Sequence, residues 1–252
     1  MSAERDSTSS HPPPTKPDAT TNANTSAPFA KGDLYHPSTA ASGPAELSSL
    51  QTRLRRAVRQ FPDFPSAGIL FEDIFPIFAD PALHEALLRA LEIHVLSQHG
   101  GGKGLMSAAT GGGGQSGGRA STVDVVIGLD ARGFLFGPSL ALRLGAAFVP
   151  VRKRGKLPGP TETAAYEKEY GRDFFEIQKG AVTPGQRVVI VDDLIATGGS
   201  AAAAGSLVKQ SGGILAEYIF ILELDFLKGR DKLDAPVYTL LSSQDKEKKG
   251  TS

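Results

Sequence analysis

Residues 187–200 read RVVIVDDLIATGGS, and no other stretch constrains the fold as much. Val188, Val189, Ile190 and Val191 form a β-branched run without polar alternation, the pattern of a strand covered on both faces in a parallel sheet. The run stops at Asp192 and Asp193, then turns through Ala196, Thr197, Gly198, Gly199 and Ser200. In open α/β sheets ligands bind beyond the carboxyl ends of the strands. The two carboxylates and the small-residue loop therefore fall where a site is expected.

The segment SAAAAGSLVKQ at 200–210 follows and is helical by propensity despite Gly205. Thr197 to Ser200 then lie at a helix N-terminus, where unpaired N–H groups and the positive end of the helix dipole suit a phosphate monoester. No Lys follows the glycines, so this is not a P-loop, and there is no GxGxxG. Two carboxylates beside a phosphate cradle repel the ligand unless something lies between. A ribose 5-phosphate supplies it, with its vicinal hydroxyls donating to Asp192 and Asp193 and its phosphate in Ala196 to Ser200. An Asx-type turn entering a glycine-containing helix would explain a bare DD or GG pair, but not the whole string. The string resembles the phosphoribosyl-diphosphate (PRPP) signature of the type I phosphoribosyltransferases, and further matches narrow the resemblance to the adenine phosphoribosyltransferases. It covers about Leu50 to about Leu241.

That resemblance implies an α/β fold: a central, mostly parallel sheet flanked by helices, with a small N-terminal hood and a mobile lid. Residues 1–43, rich in Ser, Thr, Pro, Ala and Asn, cannot bury enough surface to offset the entropy of ordering and are expected to be disordered. His11 and His36 in that stretch would need more ligands close by to make a metal site and are expected to be solvated. The phosphoribosyltransferase domain is expected over 44–243, with a glycine/serine-rich insertion at 100–122 and a loose charged tail at 244–252. Lys+Arg and Asp+Glu both number 27, so net charge gives no ground for nucleic-acid or membrane-surface binding. No apolar stretch is long enough to span a bilayer, and no signal-peptide core is visible near the start. The cytoplasm is the expected compartment, with the nucleus left open.

In chain order, Leu47, Leu50, Leu54, Ala57, Val58 and Phe61 recur at spacings of three and four and mark one helical face. FPDFPSAGILFEDIFPIFADP at 61–81 is broken by prolines and carries apolar mass without a long regular element. It is similar to the hood of the adenine enzymes, which implies base contacts from Ile69, Leu70 and Phe71; Glu72 stands where some members have Arg. Asp80 and Pro81 are expected to start a helix that ends near Gln98, with His94 packing inside it. VDVVIGL at 123–129 is a second strand, ending in Asp130-Ala131-Arg132-Gly133. An acid and an Arg held by a tight turn there suit an anion, which Arg can grip in a fork; an exposed structural turn is the plainer alternative. The resemblance makes this the diphosphate loop. Ala147 to Val151 leads into RKRGKLPGP, a strongly positive loop whose generic use is nucleic-acid contact, but whose place beside two anion sites suits a lid. By resemblance Arg152, Lys153 and Lys156 contact the diphosphate, and Glu169 and Tyr170 are lid residues near the reacting centre. Phe174 to Lys179 alternates as an edge strand, and strands are also expected at 214–222 and 237–241.

The implied activity is transfer of the 5-phosphoribosyl group from PRPP to N9 of adenine, giving AMP and diphosphate. Asp192 and Asp193 would orient the ribose, Ala196 to Ser200 would anchor the 5-phosphate, and Glu169 would move a proton. Mg²⁺ is the expected cofactor, held mainly by PRPP with no direct protein ligand assigned, and a homodimer is the implied assembly. Three alternatives stay open: the same reaction on another base, a PRPP-sensing regulator without turnover, and a nucleic-acid module built on the basic loop.

Overall fold

The computed structural model describes residues 43–64, 67–68, 70–100, 122–167 and 171–241. The expected disordered extension, nearly all of the glycine/serine-rich insertion and the charged tail lie outside the described residues, as do Ile69, Glu169 and Tyr170. Among the described residues no helix is long and apolar enough to cross a membrane.

Helix α1 spans Gly43–Ala57. Its apolar face buries Leu54 and packs Leu47 and Leu50 on the same core. Phe61, however, is not on that face. Pro62 disfavours helical backbone in the residue before it, and the chain turns extended, so Arg59–Pro62 (β1) pairs antiparallel with Leu70–Asp73 (β2). The proline-broken stretch thus holds a short hairpin, followed by helix α2, Phe75–Ala79. Helix α3, Pro81–His99, starts as expected: Asp80 Oδ1 accepts from the Ala82 amide at 2.8 Å, and Pro81 occupies the first turn. His94 is buried in it, stacked on Tyr238 with ring centroids 3.4 Å apart, and its Nε2 lies 2.9 Å from Glu217, which His99 also meets at 2.9 Å.

Seven strands form the main sheet: β3 (Val125–Leu129), β4 (Ala147–Lys153), β5 (Thr161–Glu167), β6 (Arg172–Gln178), β7 (Arg187–Ile195), β8 (Ile214–Glu223) and β9 (Val237–Thr239), in the order β5-β6-β4-β3-β7-β8-β9. Pairing is parallel from β4 through β3, β7 and β8 to β9, and antiparallel where β6 joins β4 and β5. Helices α4 (Gly137–Leu144) and α5 (Gly199–Gln210) complete the layers. The run in β7 behaves as its composition requires: Val189 and Val191 enter the core shared with α1, α3 and α4, while Val188 and Ile190 enter the one shared with α5.

Two expectations are corrected. The β7 strand does not stop at the acids but carries Asp192 and Asp193 and runs on to Ile195, because β8 stays paired beside it as far as Glu223. The Phe174–Lys179 segment is not an edge: TETAAYE at 161–167 forms the outer strand β5, held by inward Ala164 and Tyr166, and covers β6 on that side.

Gly205 interrupts the alanines of α5 for a packing reason. A Cβ there would lie 2.0 Å from the Tyr218 hydroxyl, which is itself fixed by a 3.1 Å bond to Asp234. Gly205→Ala gains about 1 kcal/mol of helix propensity, but overpacking of this kind costs about 1–3 kcal/mol. The variant is therefore expected to unfold at lower urea than wild type, and Tyr218→Phe added to it should recover part of the loss. A simple rise in stability for Gly205→Ala would contradict this packing.

Candidate active site

The parallel register sets the geometry. Val125 to Gly128 of β3 lie opposite Val188 to Val191 of β7, so Leu129 and Asp192 come next on adjacent strand ends. Beyond β3 the Asp130–Ala131 peptide is cis, and a single 3₁₀ turn, Arg132–Leu135, folds back over β7. A Cβ on Gly133 would sit 2.6 Å from the Val191 carbonyl oxygen, so glycine allows the turn to lie that close. This delivers the Arg132 guanidinium onto Asp193, whose Oδ2 accepts its Nε–H. Asp193 is buried, and its other oxygen accepts no hydrogen bond.

At the end of β7 the chain turns through Ala196 and Thr197 into Gly198, which caps α5 in the left-handed region at φ 76 without any side-chain cap. The first amides of α5 therefore lack both intrahelical and side-chain partners, the arrangement that suits an anion. Asp130, Arg132, Lys153, Tyr166, Asp192 and the loop from Ala196 to Ser200 line one cavity of about 330 Å³. A larger cavity of about 760 Å³ lies between α1 and the ends of β8 and β9. Of its three cations, Arg55, Arg56 and Arg230, two, Arg55 and Arg230, are already paired, with Glu72 and Glu223, and it has no α-helix N-terminus. The chemistry places the site in the smaller one.

Charge in that cavity is balanced rather than uniformly positive. Burial, and then the neighbouring Asp193 carboxylate, push the Asp192 carboxyl well above the usual carboxylate range, although the Asp193 amide donates to it at 2.9 Å. Burial works against the Arg132 charge, but the Asp193 bond and both carboxylates outweigh it and hold the guanidinium protonated. Tyr166, on β5, has its hydroxyl on Asp173 at 3.1 Å and in contact with Ser200, and burial pushes it up to about 12. It stays a neutral donor at any ordinary pH.

Of the residues singled out in the sequence, Arg132, Lys153, Asp192 and Ala196 to Ser200 converge on this cavity. Asp193 stands behind it, turned to Arg132. Arg152 is not among the lining residues but is bonded to one of them, its Nε donating to Asp130 Oδ2 at 3.1 Å; it also lies over the Phe134 ring, and its NH1 group donates to the Lys156 carbonyl in an exposed turn. Leu70 and Phe71 lie half-exposed on β2 and are not among the residues lining the cavity; Phe71 meets Phe64 edge to face at 5.1 Å. Glu72 is drawn to Arg55 of α1 at 2.8 Å, with its side chain only 6% exposed. Tyr166 and Asp173 had no place in the sequence argument. The alternation of Ala164 and Tyr166 in TETAAYE was the available signal, masked by the charged, proline-rich stretch before it.

The raised Asp192 gives a testable pH dependence. At about pH 2, well below the ordinary aspartate value, the carboxyl is protonated whether the chain is folded or not. As pH rises, the unfolded chain releases the proton while the folded cavity keeps it, so this residue withdraws stability up to its raised value. Asp192→Asn should therefore melt above wild type at neutral pH and converge with it only well below pH 4, toward about pH 2. A difference in melting temperature that is constant with pH would contradict the assignment.

Residues 118–251 match the family described as phosphoribosyl transferase domain. The adenine phosphoribosyltransferase of Yarrowia lipolytica is 56% identical over 199 residues, 79% of this chain and 99% of that protein. Adenine phosphoribosyltransferase 1 of Saccharomyces cerevisiae is 52% identical over 198 residues, 79% of this chain and 96% of that one. The solved S. cerevisiae adenine phosphoribosyltransferase, complexed with D-2,5-dideoxy-2,5-imino-altritol 1,6-bisphosphate and adenine, superposes at a TM-score of 0.66 with 52% identity, covering 77% of this chain and 99% of its own. The Giardia lamblia enzyme, complexed with 9-deazaadenine, does so at 0.62 with 27% identity, covering 77% of this chain and 98% of its own. With the parallel sheet, the acid pair and the helix-capping loop already in place, these likenesses make the chain a member of the adenine phosphoribosyltransferases.

Proposed function

We propose that this protein transfers the 5-phosphoribosyl group of PRPP to N9 of adenine, releasing diphosphate and forming AMP, and so serves purine salvage. One observation carries the proposal: uncapped helix amides, two carboxylates and two cations line one cavity at the carboxyl end of β7. A phosphate, a ribose and a diphosphate need those three kinds of partner. The acceptor base rests on family membership, and adenine in the S. cerevisiae complex supports it.

As the bond from C1 of the ribose to the diphosphate breaks, positive charge develops at C1 and negative charge on the leaving oxygens, and catalysis requires that both be favoured over the ground state. Asp192 faces the cavity and would hold the ribose hydroxyls while favouring charge at C1. Asp193 fixes Arg132, and Arg132 with Lys153 would receive the diphosphate. The loop Ala196 to Ser200 would fix the 5-phosphate through backbone amides and the Thr197 and Ser200 hydroxyls, so that C1 is presented in line to the base. Glu169 remains our candidate for proton movement on the purine ring.

Mg²⁺ fits the donor set. Asp130 and Asp192 on the cavity wall offer oxygen, and Mg²⁺ takes oxygen ligands, commonly from one or two carboxylates and substrate phosphates. When bound it would neutralise leaving-group charge. We further propose a homodimer acting in the cytoplasm. The exposed Leu135 and Leu142 support an apolar contact between subunits.

Purified protein supplied with PRPP, Mg²⁺ and, in parallel, adenine, hypoxanthine, guanine or orotate should release diphosphate with adenine alone. Asp192→Asn should lower kcat by about 100-fold, the scale of losing one preorganised electrostatic partner. Turnover with a different base would remove the acceptor assignment, and PRPP binding without any turnover would favour a regulator.

A further inference from the structure

The phosphate loop does not hold its shape alone. After β8 the chain makes two short 3₁₀ turns, Asp225–Leu227 and Gly229–Lys232, and the second lies directly against the loop. A Cβ on Gly198 would come within 2.2 Å of the Gly229 carbonyl oxygen. A Cβ on Gly229 would come within 2.3 Å of the Ala196 carbonyl oxygen and 2.9 Å of the Gly198 nitrogen. The two glycines are thus interlocked backbone to backbone, and neither has room for a side chain. Gly198 also needs its positive φ of 76, while Gly229 is glycine only because of this contact.

The turn that carries Gly229 is itself clamped. Lys228 enters it in the left-handed region, at φ 52. Arg230 then spreads its guanidinium over three partners: Glu223 through Nε at 2.6 and 2.7 Å, the Val237 carbonyl at 2.8 Å and the Thr239 hydroxyl at 2.6 Å. Glu223 is buried, also accepts from Thr239 at 3.0 Å, and stands opposite Ile195 in the β7–β8 register. The Leu224 amide donates to the Ile195 carbonyl at 2.9 Å. One guanidinium therefore ties the end of β8, strand β9 and the turn into a rigid bracket, with the phosphate loop pressed against its Gly229 face.

We propose that Gly229 and Arg230 are positioning residues for PRPP: they form a bracket that fixes the backbone of Ala196 to Gly198 so that the amides at the start of α5 align on the 5-phosphate. Neither touches substrate. The inference rests on the assignment of this loop to the 5-phosphate. The 5-phosphate lies away from the bonds that change, so loosening its cradle removes binding that acts before chemistry and appears in KM rather than kcat.

The test compares Gly229→Ala and Arg230→Lys with Thr197→Ala in the phosphate loop itself, all in the full chain. Lys keeps the charge of Arg230 but cannot form the fork. Ribose 5-phosphate affinity is measured by calorimetry, beside melting curves and separate KM values for PRPP and adenine. The bracket variants should melt cooperatively, bind ribose 5-phosphate about tenfold more weakly and raise the KM for PRPP about tenfold, well within the cost of a small misplacement. Their KM for adenine should stay within about twofold of wild type. A folded Gly229→Ala with wild-type ribose 5-phosphate affinity overturns the inference, and so does equal loss toward both substrates, the mark of a merely structural role. Should Gly229→Ala fail to fold, Arg230→Lys decides on the same readings. If Thr197→Ala weakens ribose 5-phosphate while the bracket variants do not, the bracket fails and the phosphate loop stands. If Thr197→Ala leaves that affinity unchanged, the loop assignment fails and the bracket with it.

Discussion

Parallel pairing of β3 with β4 and β7 brings three carboxyl strand ends to one edge of the sheet, and the rest of the site depends on that alignment. Asp130, Lys153 and Asp192 come from three different strand ends, 23 to 62 residues apart in sequence, yet they line one cavity. Backbone hydrogen bonding and apolar burial hold the strands; the functional side chains contribute little to that. The alternating burial of Val188 to Val191 on two sides of the sheet keeps β7 in place while its far end carries charge.

That charge is managed by pairing rather than by solvent. Asp193 sits behind the cavity and is matched by Arg132, which leaves Asp192 as the carboxylate presented to a ligand. Burial, and then the adjacent Asp193 carboxylate, oppose the ionisation of Asp192, and its raised value is the consequence. A ligand carrying cationic character at C1 of its ribose relieves the opposition. The phosphate loop is managed differently, by steric fit, with Gly198 and Gly229 too close for any side chain.

Much of this was legible in the sequence because each signal was local. The β-branched run announced a doubly covered strand, the glycine-containing loop before an alanine-rich segment announced the N-terminus of α5, and Asp80-Pro81 announced the start of α3. What stayed hidden depended on partners distant in the chain. Nothing local says that β7 would continue through Asp192 and Asp193, since that follows from β8 remaining paired to Glu223. Strand β5 has polar residues on its outer face and follows a basic, proline-rich turn, so its inward Ala164 and Tyr166 were overlooked. Phe61 keeps helical spacing but lies beyond the point where Pro62 ends the helix. Gly229 reads as an ordinary turn glycine until the loop it touches, about 30 residues earlier, is seen against it.

The central claim is that the loop from Ala196 to Ser200 is the 5-phosphate site and that Asp192 is the ribose carboxylate. The most direct test is a crystal structure of this chain grown with ribose 5-phosphate. The account predicts the phosphate on the amides at the start of α5, beside the Thr197 and Ser200 hydroxyls, with the ribose hydroxyls on Asp192. A phosphate bound instead on the basic turn around Lys156, or in the larger cavity beside Arg56, with the loop left empty, would contradict it.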